Sequence, residues 1–273
     1  MTWRPAALVC LLVLVLTACS RVELVYEHAD WLGARQIANY LDLDRDQRLA
    51  LREELRSYRE FHRARRLPEL IAWLEQMEFV LAQADPSDDA IAMLFDDGEA
   101  LLRRKAADLI PLAARTLRDL DAEQRQDLAE RLADGREEYA EERQPERADR
   151  TLERVEGWTG ALGQGQRAHL ERCGRRLPDV TDDWLRWRAE REQALLTLLD
   201  GAPEQQAVEQ FLHDWWLNDA ARGEVLESAR AETRALWQEC SRTLLATLTP
   251  GQRQSVQSRL DRYRGNFLSL TAR

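Results

Sequence analysis

The side chains best suited to chemistry in this chain of 273 residues are four cysteines and four histidines. Cys173 and Cys240 each lie between leucines at helical spacing, so both thiols are expected to face a helical core. In an oxidising compartment we favour a disulfide between them, with two separate buried thiols as the alternative. The histidines form no His-x-x-x-His pair and no Cys/His cluster, and they are His28, His62, His169 and His213. The sequence therefore predicts no metal site and no cofactor.

Motifs of catalysis are missing from the sequence as well. The chain contains no Gly-x-Ser-x-Gly nucleophile elbow and no glycine loop of the kind that binds phosphate. The net charge of −10 and the pI of about 5.1 argue against a nucleic-acid binder, which normally has a basic face. We therefore expect a protein that is not an enzyme and has no small-molecule substrate.

The first nineteen residues have the pattern of an export signal. Arg4 provides a positive charge, and positions 6–16 form an apolar run that is too short to span a bilayer. The run ends in Leu16-Thr17-Ala18-Cys19, which resembles the lipobox of bacterial lipoproteins. This resemblance implies cleavage before Cys19 and attachment of lipid to its sulfur and to the new amino group. An ordinary signal peptide with a chance cysteine is the alternative.

The residues after Cys19 predict a location. In similar lipoproteins of Gram-negative bacteria an aspartate at the next position favours retention in the inner membrane, so Ser20 implies the outer membrane, with the protein facing the periplasm. Residues 1–18 are then the signal peptide, and residues 19–42 form a lipid-anchored helix close to the membrane. No other apolar segment approaches the roughly twenty residues that a transmembrane helix needs.

A Leu-x-x-x-Gln-Arg pattern occurs four times along the chain. Its chemistry is that of a helix N-terminus, because the residue after the leucine can accept a hydrogen bond from the third amide of the helix. The glutamine can reach back to the N–H of that cap residue. Glycine in the third copy is a weaker cap. The pairs of cap residue and glutamine are Asp44 with Gln47, Asp121 with Gln124, Gly163 with Gln166, and Thr249 with Gln252.

Residues downstream of each cap repeat too, and they divide the chain into two halves. Eight residues after the leucine stand Leu51, Leu128, Leu170 and Val256, and twelve residues after it stand Leu55, Leu132, Gly174 and Leu260. These spacings place both sets on one helix face. Two further echoes between the halves are Leu67-Pro68 with Leu177-Pro178, and Pro86 with Pro203.

We therefore predict an all-α fold of about nine helices. The membrane-proximal helix is followed by two tandem four-helix halves, residues 43–156 and 157–273, which form a pseudo-dimer. Four glycines between positions 157 and 165 are interpreted as the linker between the halves. Four unrelated helix caps in a helical protein are the alternative.

The repeated pattern resembles the LTxxQ signature of the Spy/CpxP family of periplasmic chaperones, which Leu248-Thr249-Pro250-Gly251-Gln252 matches in full. That resemblance implies long helices arranged as a concave cradle. A second resemblance, to a family of uncharacterised proteobacterial lipoproteins, covers the first half. It is carried by Trp31-Leu32, Tyr40-Leu41-Asp42-Leu43, Gln47, Phe61-His62-Arg63 and Leu67-Pro68. It implies lipidation and a helical fold.

The leading hypothesis from the sequence is a non-enzymatic envelope protein that binds unfolded polypeptides or an envelope partner through a helical cradle. It would contact the membrane through its N-terminal lipid. The alternative is a structural or assembly lipoprotein of an outer-membrane complex. A third class, an envelope hydrolase, would need an acid/base pair that no motif reveals.

Overall fold

The computed structural model describes residues 23–83, 85–141 and 144–272, and residues 144–149 by their backbone alone. The predicted signal peptide and Cys19 lie outside the described residues. Within them the protein is all-α, which confirms the predicted fold class, with eleven α-helices and no strand. The α-helices are α1 (Ala29–Tyr40), α2 (Arg45–Phe61), α3 (Leu67–Ala82), α4 (Asp88–Arg118), α5 (Ala122–Glu141), α6 (Gln144–Thr159), α7 (Gln164–Arg175), α8 (Thr181–Asp200), α9 (Gln205–Leu217), α10 (Glu224–Thr247) and α11 (Pro250–Thr271).

Each Leu-x-x-x-Gln-Arg copy begins a helix, namely α2, α5, α7 and α11. Asp44 illustrates the cap, since its Oδ1 accepts hydrogen bonds from the N–H groups of Asp46 at 2.7 Å and Gln47 at 2.9 Å. The two proline breaks lie where the pattern predicts them, because α4 begins two residues after Pro86 and α9 begins two residues after Pro203.

The helix count differs from the prediction of about nine, and two local features explain the difference. The segment before the third motif forms a separate helix, α6, so that Gly157 is helical and the predicted boundary at residue 157 falls inside α6. The long helix expected in the second half is divided into α9 and α10. A 3₁₀ turn at Asp219–Arg222 and Gly223, with φ of +83°, separate them. Glycine adopts this positive φ without steric cost.

The core consists of apolar helix faces that the repeats share. All four residues at the eighth position after the motif leucine are buried, with at most 8% of their surface exposed. Leu51 and Leu128 lie in one cluster together with Ala38, while Leu170 belongs to a second cluster and Val256 to a third. None of the helices in the described part of the chain combines the length and the apolarity of a transmembrane span.

Helices of the two predicted halves pack against each other in a reciprocal way. Helix α3 packs on α11, where Leu74 contacts Val256 and Leu260. Helix α8 packs on α5, where Leu196 joins the cluster of Leu128. Helix α4 lies against α10, and α1 covers α2.

Candidate functional site

The glutamines of the first two motifs form a closed hydrogen-bonded pair. The Nε2 group of Gln47 donates to Oε1 of Gln124 at 3.0 Å, and Nε2 of Gln124 donates to Oε1 of Gln47 at 2.7 Å. The second hydrogen of each amide bonds to a carbonyl in the loop of the other motif. Gln47 donates to the carbonyl of Asp119, and Gln124 donates to the carbonyl of Asp42. Each Oε1 also accepts from the N–H of its own cap residue. Both side-chain amides therefore use their full hydrogen-bonding capacity.

The third and fourth motifs repeat this arrangement. Gln166 and Gln252 exchange two hydrogen bonds of 2.9 Å, and both side chains are buried. Their remaining hydrogens go to the carbonyls of Thr247 and Ala161. Each pair thus joins two helix N-termini through a satisfied polar contact, which is a structural junction and not a reactive site.

The two cysteines among the described residues, Cys173 and Cys240, meet in the second half of the chain. Cys173 on α7 and Cys240 on α10 form a disulfide in the structure, with Cα atoms 6.3 Å apart. Both residues are buried. Nε2 of His169 lies 3.0 Å from the carbonyl oxygen of Cys240 and 3.6 Å from Sγ of Cys173. The disulfide therefore has one histidine at its side.

This arrangement corrects the expectation that no histidine joins a Cys/His cluster. The side-chain ligand atoms of His169, Cys173 and Cys240 all lie within 4.8 Å of one another. His169 and Cys173 are four residues apart on α7, a spacing that puts them on one face, and α10 brings Cys240 to the same place. A metal would require the thiolates, which the disulfide removes.

A cavity of about 210 Å³ lies near the disulfide, because two of its lining residues, Leu177 and Trp237, pack against the cluster that contains both cysteines. Leu170 and Gly174 of α7 line one side of it, and the loop between α7 and α8 lines another. Three aromatic side chains complete the apolar lining, and they are Tyr139 of α5, Trp184 of α8 and Trp237 of α10. An engineered apolar cavity of about 150 Å³ holds benzene, so this space is large enough for one aromatic ring.

Gly174 is the residue that leaves this space open. The equivalent position is leucine in the other three copies, whereas a Cβ added at Gly174 would meet no atom within 4 Å. The backbone also differs from that of the first half, where Leu67 and Pro68 continue the helical path from a π-helical turn at His62–Arg66. After α7 the chain instead leaves the helix, and Leu177, Pro178 and Val180 line the cavity.

The aromatic wall of the cavity is held by charged residues behind it. The rings of Tyr139 and Trp184 stack with centroids 4.3 Å apart, and the guanidinium of Arg188 lies 5.1 Å from the Trp184 ring centroid. Nε of Arg188 donates to Glu192 at 2.6 Å, and Arg136 of α5 pairs with the same carboxylate. Since Glu192 is only 1% exposed, this three-residue ion cluster fixes α5 against α8.

Two of the polar residues that line the cavity, Asp179 and Thr181, are hydrogen-bonded to each other. Oδ1 of Asp179 accepts from the hydroxyl of Thr181 at 2.8 Å and from its N–H at 3.2 Å. Behind the disulfide, two hydrogen bonds from Arg176 hold the pKa of Glu239 below its usual value. The lining residues described thus form a mostly apolar pocket with a few polar groups, which suits binding.

A second polar cluster surrounds His62. The hydroxyl of Tyr26 and Nδ1 of His62 are 3.0 Å apart, and the ring of Tyr58 packs on the imidazole. Burial lowers the pKa of His62, with the charge of Lys105 as the next cause. Burial also raises the pKa of Tyr58 to about 12. Both shifts favour the neutral form of the side chain, which suits a structural contact.

Sequence reasoning identified the four glutamines but not their pairing, and it did not find the cavity. A buried amide needs four hydrogen bonds, whereas the capping box accounts for only one of them, so a partner could have been inferred. The sequence also contains an indication of the cavity, because Gly174 replaces the leucine that the other three copies have at this position.

Comparison with known proteins gives one finding. A family model described as "Family of unknown function (DUF6279)" matches residues 39–219, more than half of the chain. The matched range contains the first three motifs and most of the cavity wall, whereas Trp237 and Cys240 lie beyond it. No curated protein and no solved structure matches the chain. These comparisons support neither the lipoprotein pattern nor the similarity to Spy/CpxP proteins.

Proposed function

We propose that this chain, which belongs to the Family of unknown function (DUF6279), is a non-enzymatic, lipid-anchored envelope protein. In this proposal it binds apolar side chains of unfolded polypeptides or of an envelope partner. The cavity at Gly174 carries the proposal. Aromatic and apolar walls with few polar groups are typical of pockets that receive an anchoring side chain.

The size and lining of the cavity favour an aromatic side chain as the anchor. Tyr139, Trp184 and Trp237 come from three different helices and offer ring faces and edges for stacking. The walls are fixed by the disulfide on one side and by the Glu192 cluster on the other. A pocket that is held open before binding loses little conformational entropy when it is filled.

We propose a pseudo-dimeric origin for this architecture. Equivalent helices of the predicted halves make reciprocal contacts, α3 with α11 and α8 with α5, and each half contains one glutamine pair. Trp73 shares a cluster with Phe267, and Trp184 stacks on Tyr139, which stands nineteen residues after its motif leucine as Phe267 does. In this view the cavity is a later feature of one half, since it depends on Gly174.

The cellular location of the protein is also part of the proposal. Lipidation at Cys19 and location at the outer membrane facing the periplasm rest on the Leu16-Thr17-Ala18-Cys19 pattern and on Ser20. A disulfide between Cys173 and Cys240 agrees with an oxidising compartment.

The proposal is tested by aggregation of an unfolded model client in the presence of the wild-type protein, Gly174→Leu and Gly265→Leu. Both glycines are helical, and a Cβ added at either meets nothing within 4 Å, but Gly265 is exposed on α11 and outside the cavity. We expect suppression by the wild type and Gly265→Leu, and its loss in Gly174→Leu. Absence of suppression by the wild type at molar excess contradicts binding of unfolded clients.

Capture from solubilised membranes separates the two kinds of polypeptide partner. A heterogeneous set of proteins that Gly174→Leu releases supports client binding. If Gly174→Leu and Gly265→Leu both retain one stoichiometric protein, the result supports an assembly subunit that does not use the cavity.

A further inference from the structure

The segment that precedes and forms α1 has two chemically different sides. Leu24, Val25, Trp31 and Leu32 are exposed, with between 41% and 58% of each residue accessible to solvent. Leu24 and Trp31, like Val25 and Leu32, are seven residues apart, so the four side chains follow one side of the helical path. Ala34 and Ala38, four residues apart, lie on the side that packs against α2, where both are buried.

The charges of this segment are divided in the same way. Asp30 is 7% exposed and receives a hydrogen bond of 2.7 Å from Arg59, and the carboxylate of Glu27 pairs with Arg63 at 3.0 Å. Glu23 is only partly exposed. From residue 24 to residue 40 the exposed residues include no carboxylate, in a chain whose net charge is −10. The charged residue among them is Arg35, whose guanidinium lies 5.6 Å from the Trp31 ring centroid.

We propose that this outer side of the N-terminal helical segment is a membrane-docking face, which lies flat on the anionic surface of a lipid bilayer. Leu24, Val25, Trp31 and Leu32 would enter the boundary between headgroups and acyl chains, and Arg35 would meet lipid phosphates. Helices that lie in this plane combine tryptophan and leucine on one side with basic residues at its margin. Tryptophan is suited to this depth because its ring is apolar while its N–H can still be solvated.

The position of the docking face in the chain indicates that a lipid bilayer is the surface that covers it. The described residues begin at Glu23, four positions after Cys19, the residue proposed to carry the lipid. A tether of four residues spans at most about 14 Å when fully extended, so an anchored chain keeps this face within reach of the bilayer. A lipid surface therefore accounts for the exposed apolar residues, for the inward carboxylates and for their location. This inference rests on the proposed lipid anchor.

The experiment uses the full chain, exported and lipidated in cells and reconstituted into vesicles of phosphatidylethanolamine and phosphatidylglycerol. A nitroxide label is attached to Leu32→Cys or, as the control, to Leu102→Cys, another exposed leucine, which lies on α4. The disulfide occupies Cys173 and Cys240, and the lipid occupies Cys19, so the label reacts with the new thiol. The measurement is the collision rate of the label with oxygen, which concentrates in the bilayer, relative to that with a water-soluble nickel complex.

We expect the ratio of the oxygen to the nickel rate to be several-fold higher at position 32 than at position 102. Equal ratios, with both labels exposed to water, overturn the docking face but do not contradict the lipid anchor. A label at position 32 that is shielded from both reagents indicates a protein contact and also overturns the proposal. A chain that washes off the vesicles contradicts the lipid anchor, and the docking face is then contradicted with it.

Discussion

The first and third motifs of the chain begin helices in the same way, but the residues that follow them in those helices differ. In both, the motif glutamine pairs with the buried glutamine of the following motif, and the residue eight positions after the leucine is in the core. Four residues further on, Leu55 packs into the core of the first half, whereas Gly174 leaves a cavity in the second. The shared features account for the fold, so the difference between the copies identifies the candidate binding site.

The largest expected effect concerns the disulfide, which only the second region has. Replacing both cysteines, as Cys173→Ala with Cys240→Ala, removes a bridge between residues 67 positions apart and should lower the free energy of unfolding by about 4 kcal/mol. Denaturant unfolding of the two proteins measures this difference. A reductant should destabilise the wild type and leave the double variant unchanged. Equal stability of the two proteins contradicts a structural role for the bridge.

The glutamine pairs should contribute equally in the two regions. Gln124→Leu and Gln252→Leu each remove a buried amide and leave the partner amide and a loop carbonyl without a hydrogen bond, at an expected cost of about 2–3 kcal/mol. Chemical unfolding checks the values, with Gln126→Leu as the control, because Gln126 is exposed on the same helix as Gln124. A change below about 0.5 kcal/mol at either pair, comparable to an ordinary surface substitution, would show that the junction is dispensable.

Opposite changes of side-chain size at the two equivalent positions should reverse the difference between the regions. Gly174→Leu should raise the free energy of unfolding by about 1 kcal/mol, because it fills open space and removes a helical glycine. Leu55→Ala should lower it by about 2 kcal/mol, since it opens a gap beside Leu51. Melting curves of both variants measure these changes. Destabilisation by Gly174→Leu would mean that a leucine cannot be accommodated at that site.

The smallest expected effect is a pH dependence at His62, whose equivalent in the second motif, nineteen residues after its leucine, is the cavity residue Tyr139. Burial lowers the pKa of His62 below 6.5, so the unfolded chain binds the proton more strongly than the folded chain does. The stabilisation is therefore complete above about pH 6.5 and is lost as the pH falls through the lowered pKa.

Unfolding free energies of the wild type and His62→Phe from roughly pH 8 to pH 5 test this expectation, since histidine titrates in this range. Phenylalanine is the residue at the equivalent position 267 and carries no titratable group. The difference between the two proteins should shrink toward low pH. A constant difference over the whole range would show that His62 keeps its ordinary pKa in the fold.

Local sequence rules predicted where helices of this fold begin better than they predicted how many helices there are. Cap chemistry located the starts of α2, α5, α7 and α11, because a capping box is decided within four residues. The division of α9 from α10 depends on Gly223 and on ion pairs of Asp219 with Arg230 of α10 and with Arg103, which is 116 positions away in the chain. Such tertiary contacts have no local signature in the sequence.

The candidate site was only partly accessible to sequence reasoning. The leucine spacing predicted that Cys173 and Cys240 face inward, and both are buried. The cavity depends on how α5, α8 and α10 meet around Gly174, and periodicity along one helix does not give that geometry. His169 was missed as a neighbour of the disulfide because Cys240 reaches it only through the packing of α10 on α7.

The most direct test of the central claim is the dissociation constant of a short peptide with a single phenylalanine, measured by titration calorimetry. The proteins compared are the wild type, Gly174→Leu and the matched control Gly265→Leu. Each is checked for folding by its melting curve. The cavity as binding site predicts equal affinity for the wild type and Gly265→Leu, and at least tenfold weaker binding to Gly174→Leu. Equal affinity of all three proteins would contradict it.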